Sequence, residues 1–363
     1  MTRSEPAFSA PQRLASGPVP RGLSKALQAA AAGEARGEVP IARSIDMLRN
    51  AALLADDGTA DPARTARALM QIGAANLGVG RLYEGHINAL HLMRLYGTAA
   101  QTRMVEDCIS GGAVLGVWGA DGKTPLTEAG GRLQGGKCFA SGLGTVTQAL
   151  VTVNSGPDAR LALVDVTDPK QADHMTWAMH GMQATASGSY DFTDLPTDRI
   201  AWVGAPGDYQ REPHFVGGVW RIAALQAGAA VGLLDQAASE LRAIERMQAE
   251  AQKARLMSAL MRGWAGIALT ERAAQAVIDP DLLPEDIVAA SITARLFTEE
   301  VALDAIRAVE QSIGLRHFEV ASETGRMARD LSVYLRQAAR DAFMQRAAQT
   351  ALGAPGGVWG VFA

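Results

Sequence analysis

The sequence predicts an α+β fold in three parts: an N-terminal α-helical domain, a middle antiparallel β-barrel domain and a C-terminal four-helix bundle. Two observations carry this. Apolar residues recur at helical spacing up to about Ile109 and again after Pro213. Between them the text breaks into short β-branched and aromatic runs separated by Gly, Pro, Asp and Asn. With 363 residues, 48% of them hydrophobic and 20% charged, the chain is long enough for more than one lobe with a substantial core. The divisions fall at residues 1–20 (a flexible lead-in), 21–109 (helical), 110–208 (β) and 209–363 (helical).

In the first helical part, Ser44 to Asp56 and Pro62 to Gly73 each read as helices. Asp61 before Pro62 makes a matched N-cap and first helical residue. A longer helix is expected over Gly80 to Leu95, closed by Gly97. The lead-in, rich in Ser, Pro, Ala and Arg, has no apolar core of the kind a targeting peptide carries.

The middle part holds VLGVW, GGKCFAS, ALVTVN, RLALVDV, HMTWAM and SGSYDF, each of strand length. Short strands at close spacing suggest an antiparallel barrel or a sandwich. No helical crossover separates them and no GxGxxG opens a helix, which disfavours a dinucleotide-binding Rossmann unit.

Helices return over Gly217–Met247, Ala251–Ile278, Pro284–Gln311 and Tyr334–Leu352, the last ended by GAPGG. Gly228 and Gly232, four apart, permit close approach of a neighbouring element. Four long helices with short connections most simply bury their faces on one another.

Bulk properties narrow the partners. A net charge of −4 offers no footprint for nucleic acid or an anionic membrane surface. No apolar run is expected to span a membrane. Two cysteines, Cys108 and Cys138, give neither a disulfide framework nor metal-ligand spacing, and read as small buried residues of a cytoplasmic protein. The six histidines include no HExxH, so no metal site is expected.

Four strings, in order along the chain, resemble the acyl-CoA dehydrogenase superfamily. They are GGRLQGGKCFASGLGTVTQALVTVN, GMQATASGSYDFTDL, EQSIGLRHF and RMARDLSVY. The likeness runs over about residues 45 to 350. It implies FAD as cofactor, a homodimer or homotetramer, and an acyl-CoA or related small-molecule substrate. By resemblance Phe139 lies against the flavin ring and Ser141 bonds near its N5 edge, consistent with residues two apart sharing a strand face. Val117, Trp118 and Gly119 match the other flavin-facing strand end, with Trp118 where the family often has Thr. Gln311 and Gly314 match a turn that meets the diphosphate or adenine end across a subunit interface, and Arg316 adds a charge suited to a diphosphate. Leu315 and His317 replace two of the family's glycines there.

The family's catalytic glutamate is missing. The register from Arg329 and Asp330 puts Ala338 at its position, and the alternative site, VGGVWRIAALQAG, contains no acid. Abstraction of an α-proton needs a carboxylate of raised pKa near the flavin. Three substitutes present themselves: Glu84, on a helix face with Arg81 and His91; Arg221, a cation in an apolar helix; and Glu212 just before that helix. The first two have a plainer reading: an exposed Arg81–Glu84 pair, and a partner such as Glu212 or Asp330 for Arg221. The expected function is therefore an FAD-dependent acyl-CoA dehydrogenase-like oxidoreductase with its base unassigned. The alternatives are a flavin-dependent monooxygenase on the same fold and a non-catalytic paralogue.

Overall fold

A computed structural model describes residues 17–354 and 357–360. Most of the lead-in, residues 1–16, lies outside them. Its end is anchored rather than free: Val19 is buried and its N–H donates to Gln71 Oε1 at 2.9 Å.

Among the described residues five helices come first: α1 (Arg21–Ala35), α2 (Ala42–Asn50), α3 (Pro62–Ala75), α4 (Leu77–Tyr96) and α5 (Ala99–Ser110). Their ends follow side-chain chemistry. Asp61 accepts from the Arg64 N–H with Pro62 in the first turn, as the sequence predicted. The Asn76 side chain caps α4, and the Gly97 N–H closes it on Met93 O. Thr98 and Gln101 form a reciprocal capping box on α5.

Nine short strands follow among the described residues, and they do not close into one antiparallel barrel. β1 (Leu115–Trp118), β5 (Gln148–Val153), β6 (Arg160–Asp165) and β9 (Ala201–Val203) form a sheet in the order β1-β5-β6-β9. β2 (Thr127–Ala129) and β3 (Arg132–Gln134) make a hairpin, while β4 (Gly136–Ala140) pairs with β8 (Gly188–Asp191), which pairs with β7 (Ala172–Asp173). The β1–β5 pair is parallel and the other pairs are antiparallel. Isolated bridges, Asp121 with Lys137 and Arg132 with Pro196, link the ladders. HMTWAM is not a strand, because the Asp173 carboxylate accepts from the Met175 N–H and folds residues 174–176 into a 3-10 turn. Both cysteines are half-buried rather than fully buried, with Cys138 Sγ donating to Asp121 O at 2.9 Å.

The chain then returns to helix: α6 (Trp220–Ala243), α7 (Glu250–Ala276), α8 (Pro284–Ile313), α9 (Glu323–Tyr334) and α10 (Arg340–Gly353). The single last helix expected over Tyr334–Leu352 is two elements. α9 ends where the sequence reading began, and Ala339, at φ +61°, breaks the path before α10. α6 is the hub, packed against α3, α7, α8 and α9. A Cβ on Gly228 would fall 2.1 Å from Met70 O, and one on Gly232 would fall 2.6 Å from Ala74 O, so only glycine admits α3 this close. Residues 216–243 are long and apolar enough to cross a membrane by length and composition alone, contrary to expectation. Within that stretch, 78% of the most apolar window is buried under neighbouring helices, as in a core helix.

Candidate functional site

Where β1 ends against α4, α6 and α9, a cavity of about 190 Å³ opens. From α4, Arg81, Glu84 and Asn88 face it together, spaced three and four residues apart. The Glu84 carboxylate is buried, with Arg81 Nη1 at 2.6 Å from Oε2 and Arg221 Nε at 3.5 Å from Oε1. The expectation of an exposed Arg81–Glu84 pair is therefore corrected: the carboxylate is clamped between two guanidiniums inside the protein.

Arg221 stands in the first turn of α6 and is only 8% exposed. Its Nη2 donates to Asn88 Oδ1 at 2.7 Å, while its Nε, near Glu84 without hydrogen-bond geometry, has no hydrogen-bond partner. Burial pushes its guanidinium below the ordinary arginine value, with Glu84 opposing the shift. Its partners are Glu84 and Asn88, not Glu212 or Asp330. The Asp330 carboxylate accepts instead from the Met182 N–H at 2.6 Å and from Arg326 at 2.8 Å, tying α9 to the β-region.

Two tyrosines complete the polar wall. Tyr334, the last residue of α9, is 6% exposed, and its hydroxyl has no hydrogen-bond partner. Burial raises it far above an ordinary phenol, and the Glu84 charge adds to the effect. Tyr209 lines the same space, raised to about 12 by the same two causes in the same order. Gln337, just beyond α9, donates to Tyr334 O at 2.8 Å. The position of the expected glutamate, Ala338, lies in the short connection between α9 and α10, and the cavity takes its neighbours Tyr334 and Gln337 instead.

Of the strand-end trio, Val117 and Gly119 reach the cavity. Trp118 points the other way: it is buried, its Nε1 donates to Ser141 O at 3.1 Å, and its ring lies 5.6 Å from that of Tyr190. Alternation along β1 puts its neighbours on the opposite face. Lys137, fully buried, braces the end of this strand, its Nζ contacting Asp121 Oδ1 at 2.5 Å, Thr152 Oγ1 at 2.8 Å and Gly119 O at 3.4 Å.

Phe139 and Ser141 do not keep the predicted alternation. The β4–β8 register shifts between Lys137 and Ala140, and Phe139 takes φ +52° within that bulge. The bulge turns the Phe139 ring outward: it is 56% exposed and meets Trp177 edge-on at 6.3 Å. Ser141 ends a row of hydroxyls in which Thr185 and Ser187 are 2.7 Å apart and Ser187 and Ser141 are 3.1 Å apart. An outward aromatic face held against backbone preference, beside hydroxyl donors and acceptors, has the chemistry a flavin ring requires.

The remaining candidates lie elsewhere. Glu212 caps the start of the α6 region, accepting from the Val216 and Gly217 N–H groups at 2.9 and 3.4 Å and pairing with Arg346 at 2.9 Å. It does not line the cavity. Gln311, Gly314 and Arg316 sit at the exposed C-terminal end of α8. Gly314, at φ +69° and ψ −145°, is required there by the backbone itself. Tyr209, Tyr334, Asn88 and Gln337 were not singled out from the sequence. Asn88 had a signal, being four residues after Glu84 on one helix; Tyr209 had none.

Solved structures place this architecture. Dibenzothiophene monooxygenase (TdsC) from Paenibacillus sp. A11-2 superposes with a TM-score of 0.76 at 17% identity, covering 90% of this chain and 94% of that one. The chain has the acyl-CoA dehydrogenase-like fold. The 3-HSA hydroxylase from Rhodococcus sp. RHA1 shares it with a TM-score of 0.73 at 16% identity, over 93% of this chain and 95% of the other. So does the nitrososynthase from Micromonospora carbonacea var. africana, with a TM-score of 0.74 at 16% identity, over 92% and 94%. TdsC has been solved with FMN and indole bound. No protein-family model matches the sequence. No curated protein matches it either.

Proposed function

We propose that the protein is a flavin-dependent oxidoreductase that oxygenates a small molecule in the cavity beside Val117 and Glu84. The observation that carries this reading over an acyl-CoA dehydrogenase is the state of Glu84. A base for an α-proton needs a carboxylate free to receive it, whereas both oxygens of Glu84 face guanidiniums at 2.6 and 3.5 Å. Among the other described residues that line the cavity there is no second carboxylate. The solved structures named above are a monooxygenase, a hydroxylase and a nitrososynthase, which supports the same choice.

Phe139 and the Ser141 hydroxyl would flank the flavin ring, and the bound flavin would supply the electron transfer and oxygen chemistry that these side chains lack. The residues of the chain do the rest. Arg81 and Arg221 hold Glu84 in place and leave one net positive charge beside the cavity. Tyr334 and Tyr209, both raised above ordinary phenols, stay protonated and orient a substrate by donating hydrogen bonds. Val117 and Ile222 give the cavity its apolar side. The flavin is FMN where the chain's own contacts suffice, and FAD where Gln311, Gly314 and Arg316 meet a partner copy's adenine end.

Reconstitution with each flavin, followed by chromatography of the cofactor released on denaturation, identifies the form retained. A reductase-driven assay should show oxygen consumed with oxygen incorporated into product. Anaerobic bleaching of the flavin by acyl-CoA, without oxygen-dependent turnover, would overturn the reading in favour of a dehydrogenase. Failure to retain any flavin would remove both.

A further inference from the structure

The hydrogen-bonding inventory of the cavity specifies what it accepts. We infer that the substrate carries a carboxylate on a body of about single-ring size, with the carboxylate seated between Tyr334 and Asn88, and Arg221 behind Asn88. This rests on the reading of the cavity as the substrate site, and adds the substrate's chemical class.

One buried donor of the lining is unsatisfied. Tyr334 Oη has no hydrogen-bond partner and the residue is 6% exposed, while Arg221, behind the lining, turns its Nε to Glu84 Oε1 at 3.5 Å. An orphaned donor at such depth is costly, and a ligand acceptor removes that cost. Asn88 adds two more donors. Its Oδ1 is taken by Arg221 Nη2 at 2.7 Å, which orients the amide and leaves the Nδ2 hydrogens for another partner. Against these stand few free acceptors, since Arg81 and Arg221 both face Glu84. Donors outnumber acceptors and the net charge of the Arg81–Glu84–Arg221 set is positive. The complement of that set is an anion with more than one acceptor oxygen.

Size limits the rest. The cavity is about 190 Å³, and an engineered protein cavity of ~150 Å³ holds one benzene ring. A monocyclic acid fits. An acyl chain joined to pantetheine does not fit inside, and the polar lining offers it little apolar contact beyond Val117 and Ile222.

Calorimetric titration of the flavin-reconstituted protein with benzoate, and with benzyl alcohol as the neutral match, tests this. Benzoate should bind at least ~10-fold more tightly, the scale of one charge-assisted hydrogen bond. Tyr334→Phe keeps the ring and its packing, and should bring the two affinities within about threefold. Asn88→Asp keeps the acceptor for Arg221 but replaces the donors with a negative charge, and should abolish the benzoate preference. Equal affinities in the parent protein, a preference for the alcohol, or no saturable benzoate binding would each overturn the inference. So would a preference that survives both substitutions. Running the titration without flavin separates the two readings. Benzoate selectivity in a chain that retains no flavin leaves the ligand class standing and removes the oxidoreductase. Flavin retention without selectivity does the reverse.

Discussion

Replacing Glu84 by Gln separates a clamped structural carboxylate from a free base. In the folded chain the Glu84 side chain is 7% exposed, that of Arg221 10% and that of Arg81 27%. The substitution leaves the shape intact but removes the negative charge, so two guanidiniums then face a neutral amide. Breaking a buried ion pair by removing one partner costs ~3–5 kcal/mol. The Arg81 half is partly wet and contributes nearer the ~1 kcal/mol of an exposed pair. The Arg221 half therefore sets the scale, and a net destabilisation of at least ~3 kcal/mol is expected. Urea unfolding followed by tryptophan fluorescence reads this as a lower midpoint with an unchanged slope. Arg81→Gln in the Glu84→Gln background should recover part of the loss, because it removes one of the stranded cations. A Glu84→Gln protein within ~0.5 kcal/mol of the parent, the range of ordinary surface changes, would refute the clamp.

Three further outcomes follow from the geometry. His86 is fully buried, with Nε2 2.8 Å from Leu54 O and Nδ1 accepting from the Leu115 N–H at 3.0 Å, and burial pushes it down to about 4. Its unfolded value lies above its folded one, so its stabilising contribution is fully present above about pH 6.5 and is lost as pH falls towards 4, to a ceiling of ~3 kcal/mol. Its ring resonances should hold constant by NMR from neutral pH down to about 5, and a midpoint near the ordinary histidine value would contradict this. Phe139→Asn should raise the unfolding temperature, since Asn tolerates φ +52° at ~1 kcal/mol less strain, while weakening flavin binding ~10-fold through the lost aromatic face. Unchanged flavin affinity would take Phe139 out of the site. Gly228→Ala should destabilise by ~1–3 kcal/mol despite its better helix propensity, because the new methyl meets the Met70 backbone. Gly22→Ala, with open space around it, should be neutral or slightly stabilising, and equal unfolding temperatures for the two variants would remove the close-contact argument.

Local chemistry was legible in the sequence where a single residue decides a single feature. Asp61 and Pro62 started a helix, Gly97 ended one, and Gly228 with Gly232 marked a close contact. Features that depend on what lies across the fold were not legible. The parallel β1–β5 pair cannot be read from either strand, since both have the same β-branched text in either orientation. The Phe139–Ser141 alternation assumed an unbroken pleat, and the bulge at Phe139 removed it. HMTWAM has strand-forming residues, but the Asp173 side chain competes with the sheet for its backbone. The site divides in the same way. Glu84 was singled out for sharing a helix face with Arg81 and His91, and Arg221 as a cation in an apolar helix, and the two meet at 3.5 Å beside the cavity. Glu212 was singled out as an acid just before that helix, and it is held by two backbone N–H groups and Arg346. Tyr334 was read only as the start of the last helix, because nothing in RMARDLSVY shows that a helix stops at that residue and leaves its hydroxyl buried without a partner.

The glycine contact between α3 and α6 has a consequence for how the molecule is made. Met70 and Gly228 touch backbone to backbone, yet the whole β-region lies between them in the chain. At a synthesis rate of ~5–20 residues per second, the ~160 intervening residues take roughly 8–30 s to leave the ribosome. Through that interval the apolar face of α3, with Leu69, Met70 and Ile72, waits for the helix that will cover it. A nascent chain with such a face uncovered is a natural client for a holdase chaperone. Overproduction should therefore give more native protein at low temperature, where aggregation between exposed faces slows and the hydrophobic attraction that drives it weakens.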